Sequence, residues 1–248
     1  MNSNKIKILI FASAAYVILF EFLFPANGFF PSVSVILFSA TELFEKYNFT
    51  KNLISTFAAV YFTILVNYLI AKILFVILFR KKFEESSDDG YTITFLAFSY
   101  YIPFILIVLL ILVWFPDFTF DKYVVAILVF LPKNLLKFST EQKHNLKSYF
   151  YFYKSLGLKN STILNKIILK LNEPDYFLNQ IKDHTLVWSV VLITEFIQQK
   201  EGIGGILFTV FKYQDISLLF TVIILVTIMV LVLQKLLNLL YDKVYFWR

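Results

Sequence analysis

Residues 216–240 read ISLLFTVIILVTIMVLVLQKLLNLL, with Lys235 as the only charged side chain in the stretch. About 20 consecutive apolar residues are enough for an α-helix to cross the hydrocarbon core of a bilayer with every backbone polar group satisfied internally. The whole chain of 248 residues has a similar character, because 59% of its residues are hydrophobic, 19% are aromatic and only 16% are charged. The composition predicts an all-α integral membrane protein and excludes a disordered chain.

Five further stretches with few charges bring the predicted number of membrane spans to six. They cover residues 8–24, 53–79, 91–115, 122–138 and 184–198. Span 1 is expected to be retained, because large residues stand where a signal peptide would carry small ones for cleavage. The segment between Phe22 and Thr41 contains Pro25, Gly28 and Pro31, which predicts an outer loop with an interfacial helix.

Lys and Arg residues are unevenly divided between the two predicted faces. Of the 23 such residues, 17 fall on the face that carries both termini, five fall on the other face, and Lys72 lies within span 2. Its stem can extend the charge toward the basic residues 80–82. The positive-inside rule predicts that both termini are cytoplasmic. The net charge of +6 thus reflects membrane topology, and nucleic acid is not an expected partner.

The sequence offers little for catalysis or for binding a metal or a cofactor. It contains no Cys, only His144 and His184 as histidines, and neither an H-E-x-x-H nor a G-x-x-x-x-G-K-[ST] pattern. Thiolate and multi-histidine metal sites are therefore not expected, and the chain lacks a phosphate-binding loop for ATP. We expect a protein that is not an enzyme, with no catalytic residues, no metal and no cofactor.

A few residues in the spans or just after them are candidates for a pathway or gate: Tyr100, Pro103, Glu195, Gly202 and Gly204. A carboxylate such as Glu195 costs about 2.5 to 3.5 kcal/mol in a span, so it should face the bundle interior. It would either bond a helix terminus or line a gate. Gly202 and Gly204 either permit a close turn after span 5 or present N–H groups to an anion. Pro103 is expected to kink span 3, and Tyr100 beside it is a candidate for a polar path.

The loop at residues 139–183 is longer than the usual connection between spans. Within it, residues 161–171 read STILNKIILKL and place apolar side chains at helical spacing. Asn160 or Ser161 is expected to cap this helix, and Gly157 suits a left-handed turn before it. An amphipathic helix on this face either lies on the lipid interface or docks into a groove of a partner protein. Periodicity alone leaves both uses open.

This loop begins a register of residues that continues almost to the end of the chain. Gly157 is followed, after nine residues, by Ile167-Ile168-Leu169, and then by Pro174, Trp188 and Glu195. Further signatures are Thr194-Glu195-Phe196-Ile197 and Glu201-Gly202-Ile203-Gly204. The pattern resembles the permease subunits of binding-protein-dependent ABC importers, and within them the nitrate/sulfonate/taurine branch. The resemblance runs from about Pro31 to Arg248.

The resemblance implies six spans that work as a homodimer, with a path for a small solute, such as nitrate, sulfonate or taurine, between two copies. It also implies cytoplasmic ATP-binding subunits, an extracytoplasmic solute-binding protein and a bacterial inner membrane. A coupling helix between spans 4 and 5 would contact the ATPase through Tyr151, Tyr153, Gly157, Ile167 and Leu169. Residues 1–52 would form the first span and the outer interfacial segment, and residues 53–248 would form the permease core.

Two positions depart from the family pattern. Tyr151-Phe152-Tyr153 stands where the family has Glu-Ala-Ala, and Lys170 stands in place of a Pro. Aromatic anchors are suited to a hydrophobic groove on a partner, so the docking contacts would differ here. Two alternatives stay open, a secondary transporter and a degenerate permease-like scaffold that is not coupled to an ATPase. A secondary transporter normally has internal repeats and several charges at mid-membrane depth.

Overall fold

The computed structural model describes residues 3–24, 29–84, 98, 101–116, 120–140 and 143–247. In these ranges the chain consists of helices and their connections without strands, which confirms the predicted all-helical class. The helices are α1 (Ser3–Val17), α2 (Val33–Lys46), α3 (Phe49–Glu84), α4 (Phe104–Trp114), α5 (Asp121–Thr140), α6 (Lys143–Ser155), α7 (Asn160–Thr162), α8 (Leu169–Gln198), α9 (Ile203–Lys212) and α10 (Ile216–Val244). Two wider π-helical stretches continue them, π1 (Ile18–Leu23) after α1 and π2 (Ile163–Ile168) between α7 and α8.

Two of the described helices are long and apolar enough to cross a membrane. They are the part of α3 from Phe49 to Leu74 and the whole of α10. Three shorter apolar helices cover Phe11–Leu23, Phe104–Trp114 and Ile203–Lys212. The number of six spans stays a prediction, and the first part of predicted span 3, residues 91–97 and 99–100, lies outside the described residues.

The surface of α10 explains why an apolar helix is stable here. Ile223, Ile228, Leu231 and Val232 are all exposed, although each would be costly to leave in water. Hydrocarbon tails remove that cost, so a lipid environment suits this helix. The sequence of α10 is apolar around most of its circumference, as is typical of a span and not of an amphipathic surface helix.

Contacts divide the described chain into two compact units. Unit 1 contains residues up to Thr56 together with Glu195–Leu231, and unit 2 contains Phe57–Thr194 and the residues from Val232 onward. The division predicted from the sequence, at residue 52, concerns family organisation and stays a prediction.

Unit 1 contains the predicted interfacial helix, which is α2. The Ser32 hydroxyl caps it by accepting a hydrogen bond from the Val35 N–H at 3.4 Å, as serine does at helix starts. Before it, the Tyr16 hydroxyl donates to the carbonyl of Pro31 at 2.7 Å, which holds α1 against the start of α2. Residues 25–28, which contain two of the predicted breaking residues, lie outside the described ranges.

Unit 2 has two buried clusters on the inner side of the predicted topology. Ala71 of α3, Leu135 of α5 and Tyr176 of α8 form one of them, with Tyr68 packed against it. The other contains Phe150 of α6 and the apolar residues of π2 and the start of α8. These clusters fix α8 against α3 and α5, and they fix the predicted coupling region against α3.

Three local predictions need correction. Pro103 does not kink a helix but stands as the residue before α4, where its fixed φ and missing N–H are tolerated. The helix after Gly157 begins at Asn160, with Lys159 as its N-cap residue, and neither Asn160 nor Ser161 caps it through a side chain. The helix of predicted span 5 begins at Leu169 and not near His184, because the amphipathic helix of the loop runs into it through π2 without a break.

Candidate coupling and translocation sites

The predicted coupling helix forms part of a compact element that we call the coupling segment, residues 149–169. Its apolar side chains divide into an inner and an outer set. The inner set, buried and packed against Val76 of α3, is Phe150, Ile163, Leu164, Ile168 and Leu169. The outer set is exposed and consists of Tyr149, Tyr151, Phe152, Leu156 and Leu158. An element with one face fixed to a span and one apolar face uncovered is suited to docking a partner.

Gly157 makes the turn between α6 and α7. Its φ is +79°, a conformation that glycine adopts without the strain of a Cβ atom, and its N–H donates to the carbonyl of Lys154 at 3.0 Å. A Cβ added at this glycine would meet no atom within 4 Å. Glycine is therefore favoured at this turn by backbone conformation and not by crowding within the chain.

The five predicted coupling residues do not share one environment. Tyr151 and Gly157 are exposed, whereas Leu169 is buried in the inner set. Tyr153 is partly buried and packs against the same cluster. Ile167 in π2 is half-buried. The structure thus brings all five into one segment and leaves Tyr151 and Gly157 accessible to a partner.

Glu195 belongs to the last turns of α8, and its carboxyl group lies against the start of α9 in unit 1. Its side chain is 1% exposed, and its Oε2 accepts hydrogen bonds from the Thr56 hydroxyl at 2.8 Å and from the Gly204 N–H at 3.1 Å. The same hydroxyl accepts from the Ile203 N–H at 2.9 Å. A carboxylate at this position also interacts favourably with the positive end of the helix dipole. The geometry matches the first of the two expected roles, a hydrogen bond to a helix terminus.

Gly202 and Gly204 belong to the same arrangement. The Gly202 N–H donates to Asn52 Oδ1 at 2.8 Å, so the N–H groups of three successive residues, 202–204, are taken by oxygens of α3 and Glu195. Gly202 has a φ of +142°, and a Cβ there would overlap the Glu195 carboxyl group. Glycine at 202 is required by both conformation and close approach.

A second carboxylate site, which was not predicted from the sequence, occurs in unit 2. Glu173 accepts a hydrogen bond from the Tyr68 hydroxyl and an ion pair from Lys72 Nζ at 3.0 Å. Burial acts to raise the pKa of the Glu173 carboxyl, but the two hydrogen bonds and the charge of Lys72 outweigh it and hold this pKa below the ordinary 4.5. Lys72, expected to reach toward residues 80–82, instead has a partner four residues beyond the coupling segment.

Unit 2 also contains buried polar side chains that lack a partner in the described part of the chain. Thr63 Oγ1, Asn67 Oδ1 and both side-chain polar atoms of Asn134 are buried without a hydrogen bond. Unpaired buried polar groups are costly, so these positions are candidates for lining a polar path. Asn67 and Thr63 lie one turn apart on α3, on the same face.

Pro103 lines a cavity of about 280 Å³ in unit 2. The cavity is mostly apolar, with Tyr101 and Lys133 among its lining residues, and Lys133 Nζ pairs with Asp183 at 2.8 Å. Tyr100, the remaining pathway candidate, lies outside the described residues.

His184 is fully buried in unit 2, although its sequence position suggested only the end of a span. Its Nε2 accepts from Trp188 Nε1 at 3.1 Å, which places the ring proton on Nδ1, 2.9 Å from Gln234 Oε1. The Tyr61 hydroxyl lies 3.0 Å from Nε2. Apart from Trp188, one helical turn away on the same helix, its partners are 50 and 123 residues distant, so no local pattern indicates this cluster.

Among the described residues, no group of three or more His, Asp or Glu side chains is arranged to hold a metal ion. The sites above are held by hydrogen bonds and single ion pairs. They offer an exposed apolar surface, a helix junction and buried polar groups.

Comparison with known families matches residues 89–245 to the family described as binding-protein-dependent transport system inner membrane component. A search of curated proteins gave no match, and neither did a search of solved structures. The matched region spans α4 to α10 and includes the coupling segment and both carboxylates. Because the match covers more than half of the chain, this protein belongs to the binding-protein-dependent transport system inner membrane components.

Proposed function

We propose that this chain is the transmembrane permease subunit of an ABC importer. Two copies would form the path for a small solute, each with six spans and cytoplasmic termini, and a separate ATPase would supply the energy. Family membership supports transport, a membrane location and partners of the ABC type in general. The six spans, the cytoplasmic termini, the pairing of two copies and the separate ATPase are what we propose beyond it.

The observation that carries the proposal is the two-faced coupling segment. Its inner set packs on Val76 of α3, and its outer set leaves Tyr151 and Phe152, each 58% exposed, facing away from the chain. Exposed aromatic side chains on a rigid element are typical anchors of protein interfaces. In place of the Glu-Ala-Ala of the family, an aromatic surface would dock into an apolar groove of the ATPase.

The first experiment asks whether an ATPase subunit is bound through this surface. The tagged chain is expressed with the ATP-binding subunits of its host, purified in mild detergent and tested for co-purifying ATPase. We expect capture by the wild type and at least a tenfold loss in the double variant Tyr151→Ala/Phe152→Ala. The variant removes two aromatic side chains that would be buried in the complex with the ATPase. Tyr213→Ala is the matched control, since Tyr213 is 71% exposed and lies on the predicted outer face.

Capture that survives the double variant would contradict the aromatic docking surface. Capture by neither wild type nor control would contradict the ATPase-driven importer and favour the permease-like scaffold, which the departures at Tyr151–Tyr153 and Lys170 support.

A second experiment uses the turn at Gly157. Gly157→Val should abolish transport while membrane insertion stays normal, because a β-branched residue is strained at a φ of +79°. Gly157→Asn is the control, since Asn tolerates the left-handed region. Transport by Gly157→Asn but not by Gly157→Val would support a requirement for the left-handed backbone conformation at residue 157. Equal transport in both variants would contradict it.

For the solute we propose a small anion of the nitrate, sulfonate or taurine class. The support is the register of Pro174, Trp188 and Glu195 together with the signature that follows it. The N–H groups of residues 202–204 are taken by internal oxygens, so a donor for an anion is better sought at Asn134, whose side-chain N–H groups are buried without a hydrogen bond. Uptake of labelled nitrate, an alkanesulfonate and taurine into vesicles, with the cognate solute-binding protein, tests this class.

A further inference from the structure

The face of α3 that meets the coupling region has three residues spaced one turn apart. Tyr68, Lys72 and Val76 are at i, i+4 and i+8, which places them on one side of the helix. Val76 packs against the inner set of the coupling segment. Tyr68 and Lys72 bond Glu173, which follows the segment by one turn. One strip of α3 therefore contacts the segment and its continuation into α8.

The contact at Glu173 differs in kind from the contact at Val76. Apolar contact alone sets no donor–acceptor geometry between two elements, because the hydrophobic effect has no direction. An ion pair with a second hydrogen bond to the same oxygen, Oε1, fixes both distance and register. Lys72 also stands over the ring of Tyr68, 5.6 Å from its centroid, so the two donors are held together.

The same site is extended by aromatic rings from the end of α10. Phe177, one turn after Glu173, stacks parallel to Tyr241 with centroids 6.3 Å apart and contacts Tyr245 at 5.8 Å. Tyr68 and Phe177 are also in edge contact at 6.5 Å. Aromatic side chains from α3, α8 and the end of α10 thus form one cluster that includes Tyr68, a hydrogen-bond partner of Glu173.

We propose that Glu173 is a positioning residue that locks the coupling segment to α3 through Lys72 and Tyr68. The segment and the neighbouring turns of α3 then move as one body when an ATPase moves the segment. The inference rests on the proposed function for its role in transport, while the lock itself is a property of this chain. Without the lock, a push on the segment is lost as sliding at the Val76 contact.

Spin labels test the lock in the full chain, and the absence of Cys means that no native thiol interferes. Leu171→Cys on α8 and Ile77→Cys on α3 are suitable sites, because the two side chains are 50% and 49% exposed. The distance distribution between the labels is measured in detergent without any ATPase. We expect a narrow distribution in the parent and at least a twofold broader one after Glu173→Gln.

Two further variants separate the lock from a general loss of fold. Lys72→Met removes the ion pair from the other side and should broaden the distribution to a similar extent. The charge exchange Lys72→Glu/Glu173→Lys should restore most of the narrow distribution, which a merely unfolded protein would not do. Glu201→Gln is the matched control and should have no effect, since the Lys51–Glu201 pair is exposed on both sides.

A Glu173→Gln distribution as narrow as that of the parent overturns the lock, and so does a charge exchange as broad as the single variants. In the complex with ATP-binding subunits, the parent distance should stay constant between nucleotide-free and ATP-bound states. Failure to capture an ATPase would refute the proposed function alone, because the measurement on the isolated chain still decides the lock.

Discussion

Glu195 and Glu173 both belong to α8, and both accept at least two hydrogen bonds, yet their surroundings differ. Glu195 is 1% exposed and holds the uncharged Thr56 hydroxyl and Gly204 N–H in unit 1. Glu173 has a side chain that is 24% exposed and pairs with a cation in unit 2. The first carboxylate is a fixed part of a helix junction. The second joins α8 to α3 by bonding a hydroxyl and an ammonium group through one partly exposed carboxyl oxygen.

This difference in burial and in partners predicts that the two carboxylates affect different properties, the stability of the fold and the transmission of movement. Removing a buried acceptor leaves its donors unpaired, and the full desolvation cost of those donors follows. A partly exposed ion pair contributes little to the free energy of unfolding, because water replaces much of it. Glu195 should therefore matter mainly for folding and Glu173 mainly for the mechanical link to α3.

The largest effect is expected where the Glu195 junction is most crowded, at Gly202. Gly202→Ala should lower the free energy of unfolding by about 3 kcal/mol, because the added Cβ overlaps the Glu195 carboxyl group and φ is +142°. Gly157→Ala is the control, with strain but open space, and should cost about 1 kcal/mol. Thermal unfolding in detergent, followed by circular dichroism, measures both. Equal losses would mean that crowding at Gly202 has been relieved.

The carboxylates themselves provide the next comparison. Glu195→Ala should lower the free energy of unfolding by about 2 to 3 kcal/mol, because a hydroxyl and a backbone N–H lose their acceptor. Glu173→Ala should cost about 1 kcal/mol or less. Raising the salt concentration to 1 M should reduce the second loss and leave the first unchanged. A larger loss for Glu173→Ala would reverse the assignment of the two roles.

Much of the fold follows from local sequence. The apolar stretches of α3 and α10 predict long helices, and the spacing of STILNKIILKL predicts the helix that became α7, π2 and the start of α8. Ser32 before an apolar run indicates the start of α2. These features depend on neighbours within one or two turns, which a single sequence displays.

The contacts that give the sites their character depend on distant residues. Glu173 meets Lys72 across a separation of 101 residues, and Glu195 meets Thr56 across 139. Nothing in the sequence near Glu173 distinguishes it from a solvated loop residue. The sequence therefore predicts a loop up to residue 183, whereas the structure has a continuous helix from Leu169. The predicted kink at Pro103 is wrong for a related reason. Proline fits both the interior of a kinked span and the position before a helix, and only the structure distinguishes the two.

A smaller effect is expected where a buried polar side chain has no partner. Asn134→Leu should raise the free energy of unfolding by about 1 kcal/mol, because neither polar atom of Asn134 is hydrogen bonded. Gln234→Leu is the contrasting control and should lower it, since Gln234 bonds both His184 and the carbonyl of Ile181. If Asn134 serves the solute path, uptake falls while stability rises. A loss of stability in Asn134→Leu would mean that its amide is bonded.

The smallest effect is the pH dependence that Glu173 confers. Its pKa is held below the ordinary 4.5 in the folded chain, so the folded state binds the proton less readily than the unfolded state does. The contribution to stability is therefore complete above about pH 4.5 and is lost as the pH falls through the folded pKa. Glu173→Gln should reduce the slope of the unfolding midpoint against pH in that acidic range and leave the slope near pH 7 unchanged.

The control for this prediction is Glu201→Gln, at an ion pair exposed on both sides, which should retain the parent slope. Unfolding midpoints measured between pH 3 and 7 decide the matter. An unchanged slope in Glu173→Gln would show that the carboxylate titrates alike in both states and that the contrast with Glu195 is one of exposure alone.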